Sequence, residues 1–311
     1  MLHKKSHSVM FHHFHDELHK PAQGSLSASA FIKMLDWLNK HYSLLDANDY
    51  QKKFENNSLK DDDICLSFDD ALKCQFDIAI PILREYRLGA FFFVYSSAFT
   101  ENPDPLEIYR YFRTNSFNDI DEFYDDFFSV VEQVSPKKFL KHQSKYKDLN
   151  YLSEFPFYSE NDKWFRYLRD KYLMGNQYHQ IMKELMQRKL FDISLAKKDL
   201  WMSEENLKEI ESQGHIIGLH SFSHPTKISD LSFQEQELEY YKNNKHLTDL
   251  IQKPIRAMSH PCGDYNKDTL NILSKMDIKI GFRSNMSEIN TLSSLEIPRE
   301  DHANVLKEMS R

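Results

Sequence analysis

The order of its apolar segments places this chain in the α/β class, as a parallel sheet or barrel interrupted by a large helical insertion. Three observations carry that expectation. Short apolar runs of strand length alternate with amphipathic segments of helix length over the first hundred residues, and again after residue 199. Over residues 101–198, by contrast, apolar residues recur at helical spacing. The residues with the most chemical character also fall where the strands end, which is where parallel α/β folds gather their reactive groups. The expected organisation is residues 1–100 as a first barrel part, 101–198 as a helical lid or side domain, and 199–311 as a second barrel part.

Composition bounds what such a chain can do. With 311 residues, 41% hydrophobic and 28% charged, it is long enough for one large domain or two ordinary ones. A formal net charge of −7 and the lack of a basic stripe argue against nucleic acid as a partner. Cys65, Cys74 and Cys262 are odd in number and far apart, so no disulfide framework is expected. No apolar run approaches the ~20 residues that span a bilayer, and no signal-peptide core is evident. A cytoplasmic location is therefore expected, with peripheral membrane contact open and the oligomeric state undetermined.

Taken in order, Ser8–Phe11 reads as a strand running into a histidine-rich loop, with His3, His7, His12, His13, His15 and His19 in the first 19 residues. Their irregular spacing favours solvated loop histidines, His12 excepted, since a strand carries it to the mouth of the sheet. Ser27 caps a helix through Tyr42 with Phe31, Met34, Leu35 and Leu38 on one face. Asn56–Asp63 is turn-like, and Ile64–Phe68 is a strand. A helix over Phe76–Tyr86, kinked or started by Pro81, leads to Gly89 and a buried strand over Ala90–Tyr95. In the insertion, helices carry Phe123, Phe127, Trp164 and Leu168 as a core, with turns near Ser135-Pro136, Glu154–Phe157 and Gly175-Asn176. After it come a Ser203-capped helix to Gly214 and a strand over His215–Leu219. The Ser232/Glu235 capping box starts a helix to Asp249. Strand Ile255–Met258, helix Asn266–Met276, strand Lys279–Phe282 and a last strand near Leu295–Pro298 complete the chain.

The chemistry converges on two stretches. Ile64–Phe68 delivers the adjacent carboxylates Asp69 and Asp70, and Ile216–Leu219 delivers His220 and His224, four residues apart. Two imidazoles and one carboxylate form a zinc-ligand set that leaves a fourth position open for water. The other carboxylate can then act on that water. The pattern points to metal-assisted hydrolysis. Pro225 and the missing glutamate after His220 separate it from the helical zinc-protease pattern.

Together and in this order, these motifs resemble the polysaccharide deacetylase (NodB homology) family, carbohydrate esterase family 4. Ser67-Phe68-Asp69-Asp70 looks like its first motif and His220-Ser221-Phe222-Ser223-His224-Pro225 like its second. Gly89–Val94 is similar to the strand between them, and Pro261-Cys262-Gly263-Asp264-Tyr265-Asn266 to the third motif. The resemblance covers 9–100 and 199–302. It implies a distorted (β/α) barrel and metal-dependent removal of an N- or O-acetyl group from a sugar. It further implies Asp70, His220 and His224 as ligands of Zn²⁺ or another divalent transition metal, Asp69 as the base, and the Cys262 N–H as an oxyanion donor. The sequence departs from the family at Ser259, where an arginine is usual, and at Cys262, where a tyrosine is usual. It also lacks the fourth motif's Asp and Trp, and the fifth motif's Leu–His pattern gives way to Ile297–His302. Arg299 is the expected substitute for the missing arginine, orienting Asp69. His302 is the first choice for proton donor, ahead of His12 and His260. The expected partner is an acetylated amino sugar or glycan precursor, and the insertion is expected to cover the barrel mouth. Cleavage of another amide, such as N-formyl, and a metal-retaining glycan-binding protein without turnover are the alternatives.

Overall fold

Seven parallel strands line up in one sheet of the computed structural model, which describes residues 5–152, 158–287 and 293–311. His3 and the turn expected at Glu154–Phe157 lie outside the described residues. The strands are β1 (His7–Phe11), β2 (Asp63–Asp69), β3 (Phe91–Val94), β4 (Ile216–Leu219), β5 (Ala257–Ser259), β6 (Ile280–Phe282) and β7 (Arg299–Asp301). Their spatial order is β7-β1-β2-β3-β4-β5-β6, with the short strand Ser43–Leu44 added beside the start of β2. A parallel bridge from Phe282 to Ile297 brings the run-up to β7 alongside β6, so the sheet nearly closes on itself as a (β/α) barrel. Apolar strands are needed on both faces of such a sheet, and the strand residues are accordingly buried throughout β1, β2 and β3.

The barrel interior is one packed cluster. Cys65, Phe91, Phe93, Ala257, Ile280, Phe282 and Ile297 point inward and meet Ala47 and Tyr50 of the helix Ala47–Glu55. Gly218 on β4 has to be a glycine, because a Cβ there would stand 2.6 Å from the Phe93 ring and 2.8 Å from the Ala257 carbonyl. The outer layer stacks Phe11, Phe14, Phe31, Phe68 and Phe92 between the sheet and the helix Ala28–His41, whose Ser27 cap accepts from Ala30 N–H.

Most elements fall where the sequence places them. The last strand is Arg299–Asp301 rather than Leu295–Pro298, because the earlier segment is used for the bridge to Phe282. The helices Ala47–Glu55 and His302–Met309 were not expected; both are short, and both are started by an aspartate, Asp46 and Asp301. The helix expected over Phe76–Tyr86 begins as a π-turn at Gln75–Ala79, since Pro81 offers no N–H to an α-helical ladder.

By contacts the chain divides into two compact units, Met1–Asp104 with Lys197–Arg311, and Pro105–Ala196. The second unit is helical and has its own core, in which Phe123, Phe127 and Leu168 are fully buried and Phe165 packs 4.9 Å from Phe127. No helix among the described residues is long and apolar enough to cross a membrane.

Candidate active site

Strand alternation puts Asp69 where it is. Cys65, Ser67 and Asp69 share the inward face of β2, so Asp69 emerges at the top of the barrel interior. Asp70 would point outward if the strand continued. Instead Asp70 and Ala71 take left-handed backbone angles, φ 77° and 52°, and the Asp70 N–H donates to the Phe93 carbonyl at 3.0 Å. Such angles cost roughly 1–3 kcal/mol each in non-glycine residues. They swing the second carboxylate round to the histidines.

The histidines come from the end of β4. The His220 N–H donates to Asn243 Oδ1 at 2.9 Å, and Asn243 in turn donates to the Val94 carbonyl, fixing the loop against β3. His220 Nδ1 lies 2.9 Å from the Ser259 carbonyl, which can accept but not donate, so Nδ1 carries the proton and Nε2 is the atom that could hold a metal. Burial pushes the His220 ring down to about 3, which keeps it neutral at neutral pH. Beyond it, Ser221 and His224 are also left-handed, and Glu239 accepts from the N–H groups of Phe222 and Ser223. This loop turns His224 back over the site.

Three donor atoms converge. His220 Nε2 and His224 Nε2 stand 3.6 and 3.5 Å from the same Asp70 oxygen, and the donor atoms of all three residues lie within 4.8 Å of one another. Metal–ligand bonds of ~2.0–2.2 Å in a tetrahedron place ligand atoms roughly 3.3–3.6 Å apart, so the separations of both imidazoles from the Asp70 oxygen suit a divalent ion.

Asp69 stands beside this set, 3.9 Å from His220 Nε2, and is gripped by Arg299. The guanidinium donates to both carboxylate oxygens, at 2.7 and 2.8 Å, and its Nε donates to the Arg283 carbonyl at 2.6 Å. Arg299 is 1% exposed. Burial pushes the Asp69 carboxyl up, but Arg299, His220 and His12 together outweigh it and hold it well below the usual carboxylate range. Ser259 donates from its hydroxyl to Asp69 at 3.3 Å and lies 2.7 Å from His220 Nδ1. The small residue standing where the family has arginine thus ties the carboxylate to the histidine. His12 Nε2 lies 3.8 Å from Asp69, with a third of its side chain exposed; burial pushes it down to about 4.

The remaining expected residues divide. Cys262 has an exposed thiol and a left-handed backbone, φ 53°, at the turn after β5, and no partner for its N–H is found among the described residues. His302 is not brought to the site, which corrects the expectation that it donates the proton. Counted from Arg299, it falls on the opposite face of β7; its ring stacks on Phe11 at 5.7 Å and its Nε2 bonds the Gly24 carbonyl. His260 fails for the same reason. It follows the inward-facing Ser259, is fully buried, stacks on Tyr265 at 4.2 Å and bonds the Leu295 carbonyl. Sequence reading did not assign Ser259, Asn243 or the preference for His12. Strand parity, with Ser8 and His12 on one face and Ser8 bonded to Ser67, was the signal for the last.

Residues 175–281 match the family model described as polysaccharide deacetylase. The Bacillus subtilis protein YxkH, named as a polysaccharide deacetylase, is 28% identical over 80 residues, which spans about a quarter of either chain, 26% of this one and 28% of that. Over 99% of both chains the fold is similar to the Streptococcus pyogenes deacetylase PplD in complex with acetate, at 18% identity and TM-score 0.56. IcaB from Ammonifex degensii is similar over 95% of this chain and 91% of its own, at 12% identity and TM-score 0.56. A de-N-acetylase from Aggregatibacter actinomycetemcomitans is similar over 94% and 93%, at 14% and 0.54. The (β/α) barrel is therefore of the NodB-homology type. In family model, fold and motif order the chain is similar to the polysaccharide deacetylase family.

Proposed function

We propose that this chain is a metal-dependent deacetylase that hydrolyses an N-acetyl or O-acetyl group on a sugar, within a precursor of a surface glycan. One observation supports the reading: the donor atoms of Asp70, His220 and His224 cluster so that they could hold a metal, beside a second carboxylate, Asp69, that a buried arginine holds in place. Two imidazoles and one carboxylate favour Zn²⁺. When bound, such an ion supplies Lewis acidity and a nucleophilic water near neutral pH.

The protein's own groups supply the rest. Asp69 stays ionised at neutral pH, and a carboxylate offers about four lone-pair sites, so the Arg299 fork leaves room to accept a proton from water. Arg299 fixes the carboxylate plane. The Cys262 N–H is placed in the role of oxyanion donor on the family resemblance. The leaving amine needs a proton, and His12, adjacent to Asp69, is the group that hands it over.

Elemental analysis tests the reading. Wild type should carry about one equivalent of metal and His220→Ala little. Asp69→Asn should keep the ion yet lose acetate release from acetylated amino sugars by at least ~10². A His220→Ala protein that retains its metal would remove the ligand assignment. Formate in place of acetate would move the reading to another amide, and metal-replete protein that binds glycans without turnover would move it to a binding protein.

A further inference from the structure

The helix Pro136–Lys147 carries Lys137, Lys138, Lys141, Lys145 and Lys147 and no carboxylate within its span, in a chain of formal net charge −7. Its inner face is accounted for. Phe139 packs edge-on against Trp164 at 5.7 Å, His142 lies 4.8 Å from Tyr172, and Tyr146 lies 4.8 Å from Trp164. Positions 139, 142 and 146 are one stripe of a helix. The five lysines and Leu140 occupy the remaining, exposed surface.

That surface is a field of one sign. None of the five lysines has a carboxylate within ion-pair distance among the described residues. Lys138 reaches back over the Tyr172 ring instead, at 4.9 Å. Glu160, which acts on Tyr146 of this helix, pairs with Lys163, and other acids of the same helical unit are likewise paired with other cations. Glu122 and Asp126 of the preceding helix pair with Lys189, and Asp170 pairs with Arg169. Glu132 and Asp148 remain at the two ends of the lysine run. Burial first, and then Lys138, Lys145 and Lys141, hold the His142 ring below its ordinary value, as an uncompensated positive field would.

Exposed apolar residues sit among the lysines. Leu140 is 55% exposed, and Val134 and Leu149 flank the helix at 60% and 44%. Leu140 shares its face with Lys137 and Lys147, three residues before it and seven after. Lysine stems with an exposed leucine between them match the interface of a bilayer, where charged heads reach lipid phosphates and the leucine enters the acyl boundary. Nucleic acid fits less well, because the helix has no arginine and its aromatic rings are turned inward.

We propose that the outer face of the helix Pro136–Lys147 is a docking surface for an anionic lipid bilayer. It stands independently of the hydrolase reading, since it uses no residue of the metal-ligand set. The test is flotation of the full chain with vesicles of phosphatidylcholine alone, or with about one third phosphatidylglycerol, at low and at ~0.15 M salt. The chain should float with the anionic vesicles, less at the higher salt, and not with the neutral ones. Replacing three exposed lysines together (Lys137→Gln, Lys141→Gln, Lys145→Gln) should weaken partitioning on the order of 100-fold. The melting temperature should stay put, and Leu140→Ser should weaken partitioning a few-fold. Equal flotation with both vesicle types, no flotation at all, or a triple variant that binds like wild type would overturn the proposal. So would an oligonucleotide that strips the protein from vesicles at equal phosphate concentration.

Discussion

Asp69 is 2% exposed and still ionised because Arg299 meets both of its oxygens, and that pairing decides which neighbour must handle the second proton. Removing one member of a buried pair strands the other charge at a cost of about 3–5 kcal/mol, so Arg299 variants would report folding more than chemistry. His12 is the cleaner probe. Its ring, pushed down to about 4 chiefly by burial, is neutral at rest and sits 3.8 Å from Asp69, a gap that one water can bridge to carry the proton Asp69 accepts to His12 and on to the leaving nitrogen. His12→Gln should lower kcat by ~10²–10⁴-fold with metal content unchanged. His302→Gln, whose ring is committed to Phe11 and the Gly24 carbonyl, should stay within a few-fold. The reverse ordering in a kcat comparison would hand the role to His302.

At the scale of strands, the convergence of Asp69, Asp70, His220, His224 and Arg299 was legible in the sequence, because the acids and histidines follow apolar runs and Arg299 follows Ile297-Pro298 at the last strand. What was not legible was which strand-end histidines face inward. A run of three buried residues such as Ala257–Ser259 shows no polar–apolar alternation, so its phase is fixed by neighbouring strands and not by its own sequence. The helix Ala47–Glu55 escaped notice because its polar outer face dilutes a stripe of only Ala47 and Tyr50. Facing away from the barrel interior has a consequence for His215 and His260. His215 Nδ1 accepts from the Ala90 N–H, and His260 bonds the Leu295 carbonyl while its buried Nδ1 has no partner among the described residues. Burial pushes both down to about 4, against an unfolded value near ~6.5. The folded state therefore binds fewer protons. Each histidine leaves stability whole above pH ~6.5 and withdraws it as pH falls toward 4, by about 2 kcal/mol at pH 5. Urea midpoints at pH 7.5 and pH 5 measure this. His215→Asn with His260→Gln, which keep the acceptor and the donor without a titrating ring, should shrink the acid loss by about 4 kcal/mol. An unchanged difference would place the proton uptake elsewhere.

For the whole molecule, the break between alternating strands and pure helical spacing marked an insertion at 101–198, and the compact helical unit is Pro105–Ala196. Boundaries shift by a few residues because Lys197–Leu200 continues the helix Ile193–Leu200 into the barrel unit. Two units with separate cores need not unfold together. Phe127 is fully buried at the centre of the helical core, with Phe165, Phe123 and Tyr178 rings 4.9, 5.8 and 6.2 Å away. Phe127→Ala should cost that unit about 3–5 kcal/mol. Phe127 belongs to the helical unit, and the barrel core and Asp70, His220 and His224 belong to the other, so the barrel's own transition and its affinity for metal should not move. Calorimetry of the full chain should then show two transitions in wild type, with one displaced downward in the variant. A single transition that shifts as a block, accompanied by weaker metal binding, would mean that the two cores are one cooperative structure.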